Sequence, residues 1–172
     1  MGKLDRNRLM YFAGFLQEGT SKAAPGDVDW EVLGVDNDTL NKELNPDTEN
    51  GKNVLLEVTF KHNGYEPEIN VDPYYADEDS NLYEKLCAAA IQEKHGDADI
   101  KGYFVEALYT TATATTLSGT GYMREAYIVP QSTGGDTAGM GLPFTVHPVG
   151  PMTTVNVSYT IATRVVTITL PT

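Results

Sequence analysis

The stretch Asn53-Val54-Leu55-Leu56-Glu57-Val58-Thr59-Phe60-Lys61-His62-Asn63-Gly64-Tyr65-Glu66-Pro67-Glu68-Ile69-Asn70-Val71 sets the fold class. Val54, Leu56, Val58 and Phe60 fall on one side, with Asn53, Glu57, Thr59 and Lys61 on the other. Period-two alternation is the mark of an extended strand with one face turned to a core. His62-Asn63-Gly64 then reads as a turn. Beyond it, Tyr65, Pro67, Ile69 and Val71 share a face against Glu66, Glu68, Asn70 and Asp72. Pro67 has no N–H to donate, which puts this strand at a sheet edge or on a bulge.

The same rhythm extends outward. Trp30-Glu31-Val32-Leu33 and Thr39 to Leu44 read as short strands, with Asn45-Pro46-Asp47 and Asn50-Gly51 forming a loop. Leu9-Met10-Tyr11-Phe12 is either a first strand or an arm, and residues 17–29 read as a flexible loop. Downstream, Ile100 to Thr110 and Tyr122 to Gln131 form a strand pair. The Thr, Ala, Ser and Gly stretch 111–121 between them is expected to be mobile in the lone chain. Leu142, Phe144 and Val146 mark another strand after a Gly134 to Gly141 loop. Val155 to Tyr159 and Arg164 to Leu170 suit a terminal hairpin.

One segment breaks the pattern. Leu82, Tyr83, Leu86, Cys87, Ala90 and Ile91 recur at helical spacing. Asp77, Glu78, Asp79 and Ser80 precede them as cap and dipole complement, Lys94 and His95 close the last turn, and Gly96 follows. The expected fold is therefore mainly β (α+β): two packed antiparallel sheets, a sandwich or barrel, with one flanking helix at about 78–95. Residues 1–151 make one domain, with an arm and loop in 1–29, and residues 152–172 a hairpin extension packed on it.

Composition narrows the function. The 172 residues are 41% hydrophobic, enough for a core. No run of about 18 apolar residues occurs, so no membrane-spanning helix is expected. The charged start, Met1 to Arg6, has no apolar run behind it and does not read as a secretory signal. Cys87 is the single cysteine, which suits a reducing cytoplasm. The net charge is −12, and residues 1–100 hold 21 acids and 9 bases while residues 101–172 hold 3 of each. Such a balance disfavours tight nucleic-acid binding through a basic patch.

A reaction centre needs convergent groups. His62, His95 and His147 lack paired ligand spacing, and Cys87 sits on the apolar helix stripe as a structural thiol. Asp72, Asp77, Glu78 and Asp79 fail the spacing of a calcium loop and have a capping role instead. Neither a nucleophile elbow nor a phosphate-binding loop is present. The expectation is a protein that is not an enzyme and uses no cofactor or metal.

Certain segments, in their order, resemble the major tail protein (tail tube) family of long-tailed phages and prophages. They are Trp30-Glu31-Val32-Leu33-Gly34, Leu44 to Glu49, Lys61 to Pro67 with Gly64, Tyr65 and Pro67, and Val71-Asp72-Pro73-Tyr74-Tyr75-Ala76-Asp77. After the helix come Glu125 to Gln131, Gly134-Gly135-Asp136 and Leu142 to His147. The resemblance covers roughly residues 30–148; the end from Met152 to Thr172 is not matched to the family core. It implies a structural subunit, made in the bacterial host cytoplasm and placed in the virion tail. Copies form hexameric rings that stack into a hollow tube, contact other tail proteins and let DNA pass without specific binding. The alternate-face acids Glu57, Glu66, Glu68, Glu106 and Glu125 are candidates for the bore, with a solvent-facing position the alternative for each. A β-sandwich binding or adhesion module is the rival reading, kept open by ten tyrosines. A connector or contractile-tail tube of the same fold is another. Charge reversal of a bore acid is expected to impair DNA ejection with rings intact, and normal infectivity in every reversal would reject the assignment.

Overall fold

Apolar residues occupy successive positions through Met10-Tyr11-Phe12-Ala13, a pattern that fits a strand covered on both faces. In the computed structural model, which describes residues 2–18 and 24–172, this segment is strand β1 (Leu9–Leu16), buried from Tyr11 to Phe15. Residues 19–23 of the expected 17–29 loop lie outside the described residues. Next come β2 (Val28–Val32), β3 (Lys42–Glu43), β4 (Pro46–Lys52), β5 (Val58–Tyr65) and β6 (Glu68–Val71). Helices α1 (Tyr83–Ile91) and α2 (Asp97–Ile100) follow. The second half holds β7 (Lys101–Ala112), β8 (Thr116–Pro130), β9 (Gly134–Asp136), β10 (Gly139–Gly141), β11 (Phe144–Thr160) and β12 (Val165–Thr169).

The main sheet has eight strands in the order β2-β1-β7-β8-β11-β6-β3, with β12 also on β11. Its ladders are antiparallel. One face carries Tyr11, Phe15, Phe104, Ile128 and Phe144 against Leu82 and Leu86 of the helical segment. The other carries Phe12, Trp30, Val105, Met123 and Val157 and meets Ile168 of β12. Strand β12 contacts β2, so the sheet bends until its two margins approach and enclose this second core. The class is mainly β and antiparallel with one sizeable helix, as the alternation indicates. The two expected layers are one sheet folded on itself, because strands of 12, 15 and 17 residues coil as they twist.

Several local expectations are corrected. Residues 111–121 are not a mobile connection: β7 and β8 run on to a tight turn, where Thr113 Oγ1 accepts from the N–H groups of Thr115 and Thr116 at 3.4 and 3.0 Å. Threonine is a strand former, so low complexity here is sheet. The strand at Phe144 and that at Val155 are one, bent where the register shifts between Val149 and Thr153 and Gly150 takes φ 74°. Residue 151 thus falls inside β11, and the terminal hairpin continues the same sheet. Residues 46–52, expected as a loop, are β4, while 53–57 is a turn and not a strand. His62-Asn63-Gly64 lies inside β5, where Asp47 pairs with Gly64 and Thr48 with His62, leaving Asn63 as a bulge. Residues that favour a turn serve a bulge equally well, since Gly64 sits at φ 136°. Only Lys42 and Glu43 pair within the expected 39–44 strand, and the Gly134 to Gly141 loop forms the β9–β10 ladder.

The helix is shorter than 78–95. Leu82, Leu86 and Ala89 are buried, but Ile91 is 65% exposed, so nothing packs beyond the third turn. Glu93 at φ 51° and the Lys94 N–H to Ala89 O bond of 2.9 Å close the end, a task expected of Gly96. Asp77 to Asp79 do not cap the start, while Ser80 does so in part, its Oγ accepting from the Leu82 N–H at 3.3 Å. Glu31, from β2, accepts from the Leu82 N–H at 3.1 Å and from Ser80 Oγ at 2.7 Å. Burial raises the Glu31 carboxyl above its usual range, against the lowering effect of its hydrogen bonds from Ser80, Leu82 and Tyr74. A raised folded-state pKa favours folding below the unfolded value and loses that contribution as pH climbs through the folded one. Glu31→Ala is expected to cost about 1–2 kcal/mol in urea unfolding, by removing the shared acceptor of Ser80 Oγ and the Leu82 N–H and leaving that N–H only its 3.3 Å bond to Ser80 Oγ. Relative to Glu31→Gln, the wild type should lose stability as pH rises through and above the ordinary carboxylate range, and a flat difference would contradict the assignment.

Candidate functional site

The β4–β5 hairpin stands apart from both cores. Its seven cross-strand pairs, from Pro46–Tyr65 to Lys52–Val58, form a separate two-stranded sheet about 24 Å long. Every residue in its strands is exposed except Gly64, which is half-buried. Asn53 shapes the tip: its Oδ1 accepts from the N–H groups of Leu55 and Glu57 at 2.9 and 3.0 Å, and its Nδ2 donates to Glu57 at 2.6 Å. Val54, Leu55 and Leu56 are thereby held outward, Val54 at 98% exposure. Register places Val58 and Phe60 on one face with Lys52 and Asn50, and the His62 ring packs edge-on to Tyr65 at 4.6 Å. Of the expected alternation only Val58 and Phe60 lie on a strand; Val54 and Leu56 belong to the turn, Leu56 at φ 62°, and all four side chains are exposed.

The arm is anchored at its root. Asn45, at φ 43°, donates from Nδ2 to Glu66 O at 3.1 Å, and the Glu66 N–H donates to Leu44 O at 3.1 Å. Pro67 falls between β5 and β6, outside both ladders.

A second feature is an uncovered part of the main sheet. Away from the helix, the face opposite the Val155–Val157 core carries Leu108, Thr120, Tyr122, Thr154 and Asn156. Leu9 pairs with Leu108 across the β1–β7 ladder, and Glu106 pairs with Tyr122 across β7–β8. Glu106 is tied to Lys42.

The structure brings some of the sequence-marked residues together. Asp72, Pro73, Tyr74, Tyr75, Gly135 and Asp136 line a shallow cleft of about 230 Å³. Tyr75 donates to Asp136 at 3.0 Å, and Tyr74 packs edge-on to Phe144 at 5.0 Å. The Ala138 N–H, then the Tyr75 hydroxyl, hold the Asp136 carboxyl below the usual range. Trp30 goes elsewhere, into the second core, where Nε1 donates to Pro25 O at 2.9 Å. Gly64 and Tyr65 sit near the root of the arm.

The five acids do not share a surface. Glu57 is at the arm tip, Glu66 at its root, and Glu68 on β6 opposite Glu43. Glu106 and Glu125 lie on opposite faces, because Glu106 pairs with Tyr122 and Tyr103 with Glu125 in one unbroken register. Glu125 is 3.3 Å from Lys101. Among the described residues, no three His, Cys, Asp or Glu side chains are grouped to hold a metal. Cys87 packs against the helix-side core but is only partly buried. Sequence reading missed Glu31 as a helix cap, since its partner lies 51 residues away in the chain. The arm's second strand had a local signal in the alternation at Val58 and Phe60, whereas its first strand, 46–52, reads as a loop from its turn-forming residues.

No protein-family model, curated protein or solved structure matches this chain.

An isolated two-stranded hairpin is marginal in water. Amides of 46–65 should therefore exchange with solvent far faster than those of β1 and β7 in the free protein, by mass-spectrometric hydrogen exchange, and become protected on association. Core-like protection in the free protein would contradict an unpartnered arm.

Proposed function

We propose that this chain is a structural subunit of a phage-type tail tube, one that assembles with copies of itself into rings that stack around a bore for DNA. The observation that carries the reading is the arm. It exposes Val54, Leu55, Leu56, Val58, Phe60 and Tyr65 together on a body whose other large apolar residues mostly lie in two cores. Several large apolar side chains exposed on one projecting element mark a contact surface. The sequence resemblance adds the hexameric ring, stacking and the placement in a virion tail. A net charge of −12 suits a conduit that DNA passes without holding. Because Glu106 and Glu125 face opposite ways, a bore lined by one face of the main sheet takes one of them and not both. The arm also suits an adhesion module that inserts it into a foreign partner, and self-association separates the two readings.

Negative-stain microscopy of concentrated protein, with light scattering across a dilution series, is expected to show rings or tubes with a central hole. Phe60→Glu places a charge on the arm's apolar face and should abolish them, with unfolding stability within about 0.5 kcal/mol of wild type because the site is exposed. Assembly undisturbed by this change would remove the arm from the contact. Binding to a foreign surface with no self-association would favour the adhesion module.

A further inference from the structure

We propose that Asn63 is a self-modifying site, at which His62 is the base that drives conversion to aspartate or isoaspartate through a succinimide with Gly64. The chain holds two Asn-Gly pairs, Asn50-Gly51 and Asn63-Gly64, one on each strand of the arm. Glycine after asparagine leaves the attacking main-chain nitrogen unshielded, and at Gly64 even an added Cβ would meet nothing within 4 Å. What distinguishes Asn63 is its neighbour. The Gly64 N–H donates to His62 Nδ1 at 3.1 Å. That lies inside the reach of about 2.6–3.2 Å that a general base needs to the proton it removes. With Nδ1 accepting, the ring's own proton is on Nε2. The Tyr65 ring, edge-on at 4.6 Å, limits rotation of the imidazole.

The step balances within the chain and consumes only water. His62 Nδ1 takes the Gly64 amide proton, and the freed nitrogen forms a bond to Asn63 Cγ. The Cγ–Nδ2 bond then breaks, and Nδ2 leaves as ammonia, carrying the proton handed back by the imidazolium. Water adds to one of the two succinimide carbonyls and breaks its bond to the ring nitrogen. Opening at the side-chain carbonyl gives aspartate, and opening at the main-chain carbonyl gives isoaspartate.

The backbone suits the reaction at this site and not at its twin. Asn63 is the bulged residue of β5 and has no register partner, since Asp47 lies opposite Gly64 and Thr48 opposite His62. Its main chain is therefore not tied into the ladder that ring closure would have to distort. Asn50 is the reverse case, with Phe60 opposite it and Thr59 opposite Gly51 in unbroken register, and neither partner carries a base. His62 and Asn63 are exposed and Gly64 is half-buried, so ammonia can leave and water can enter. The product sets a new carboxylate beside Gly64, across from Asp47, on a chain already at −12. All of this happens within a single chain and is independent of the tube reading.

The test is tandem mass spectrometry of peptides from the purified full-length chain, sampled through an incubation at constant neutral pH and temperature. Asn63 is expected to convert about tenfold faster than Asn50, well under the range of an enclosed catalytic base because the ring is exposed. His62→Gln keeps an acceptor but cannot carry the proton, and His62→Thr suits a strand position opposite Thr48. In each variant the Asn63 rate should fall several-fold, toward that of Asn50. Asn50 also reports on folding: an opened hairpin frees both main chains and speeds both sites, so a fall confined to Asn63 is loss of the base. Equal rates at the two sites in the wild type overturn the proposal, and so does an Asn63 rate that neither substitution lowers.

Discussion

In β1 the side chains of Tyr11, Ala13 and Phe15 enter one core, and that of Phe12 enters the other. Strand β7 repeats this, with Phe104 on the first side and Val105 on the second. Both cores therefore hang on the same central ladder, with the helix packed on one face and β12, paired to β11, closing the other. Phe12, Phe104 and Val105 are each essentially buried, worth about 1.5–3 kcal/mol apiece by transfer from water. Gly14 belongs to the same constraint: a Cβ there would lie 2.2 Å from the Asp29 carbonyl oxygen, so β1 and β2 meet at this separation only with glycine.

The uneven charge has a structural meaning within this frame. Residues 101–172, nearly neutral, supply the long strands β7, β8 and β11 with the short β12, while the acid-rich first hundred residues supply the arm, the helix, β1 and the shorter strands β2, β3 and β6. A charge on a strand with a buried face is accommodated most easily beside a partner. The charged residues of the central strands accordingly have partners: Glu106 with Lys42, Lys101 with Glu125, and Arg124 with a carbonyl. Glu31 extends the logic to a partly buried carboxylate, which joins β2 to the helix start through Ser80 and the Leu82 N–H.

The places where sequence reading failed share a cause. At 111–121 composition suggested mobility, yet threonine in a paired strand is as ordered as valine, and pairing was decided by β8 and β11 alongside. At 62–64 turn-forming residues occupy a bulge, because β4 lies opposite and continues the ladder past them. The cleft around Tyr75 and Asp136 joins residues 61 positions apart, which no local pattern records.

By itself the sequence determined the β class, one amphipathic helix within 78–95, the absence of a long apolar span, and the apolar alternation at Val58 and Phe60. Each is written in side-chain order along a short stretch, where backbone geometry alone sets which residues share a side. The tertiary structure decided that one sheet folds back to make two cores, that Glu31 caps the helix from another strand, and that the 54–65 face turns away from its own body. Periodicity specifies that a face must be covered; which surface covers it depends on the packing of the whole chain.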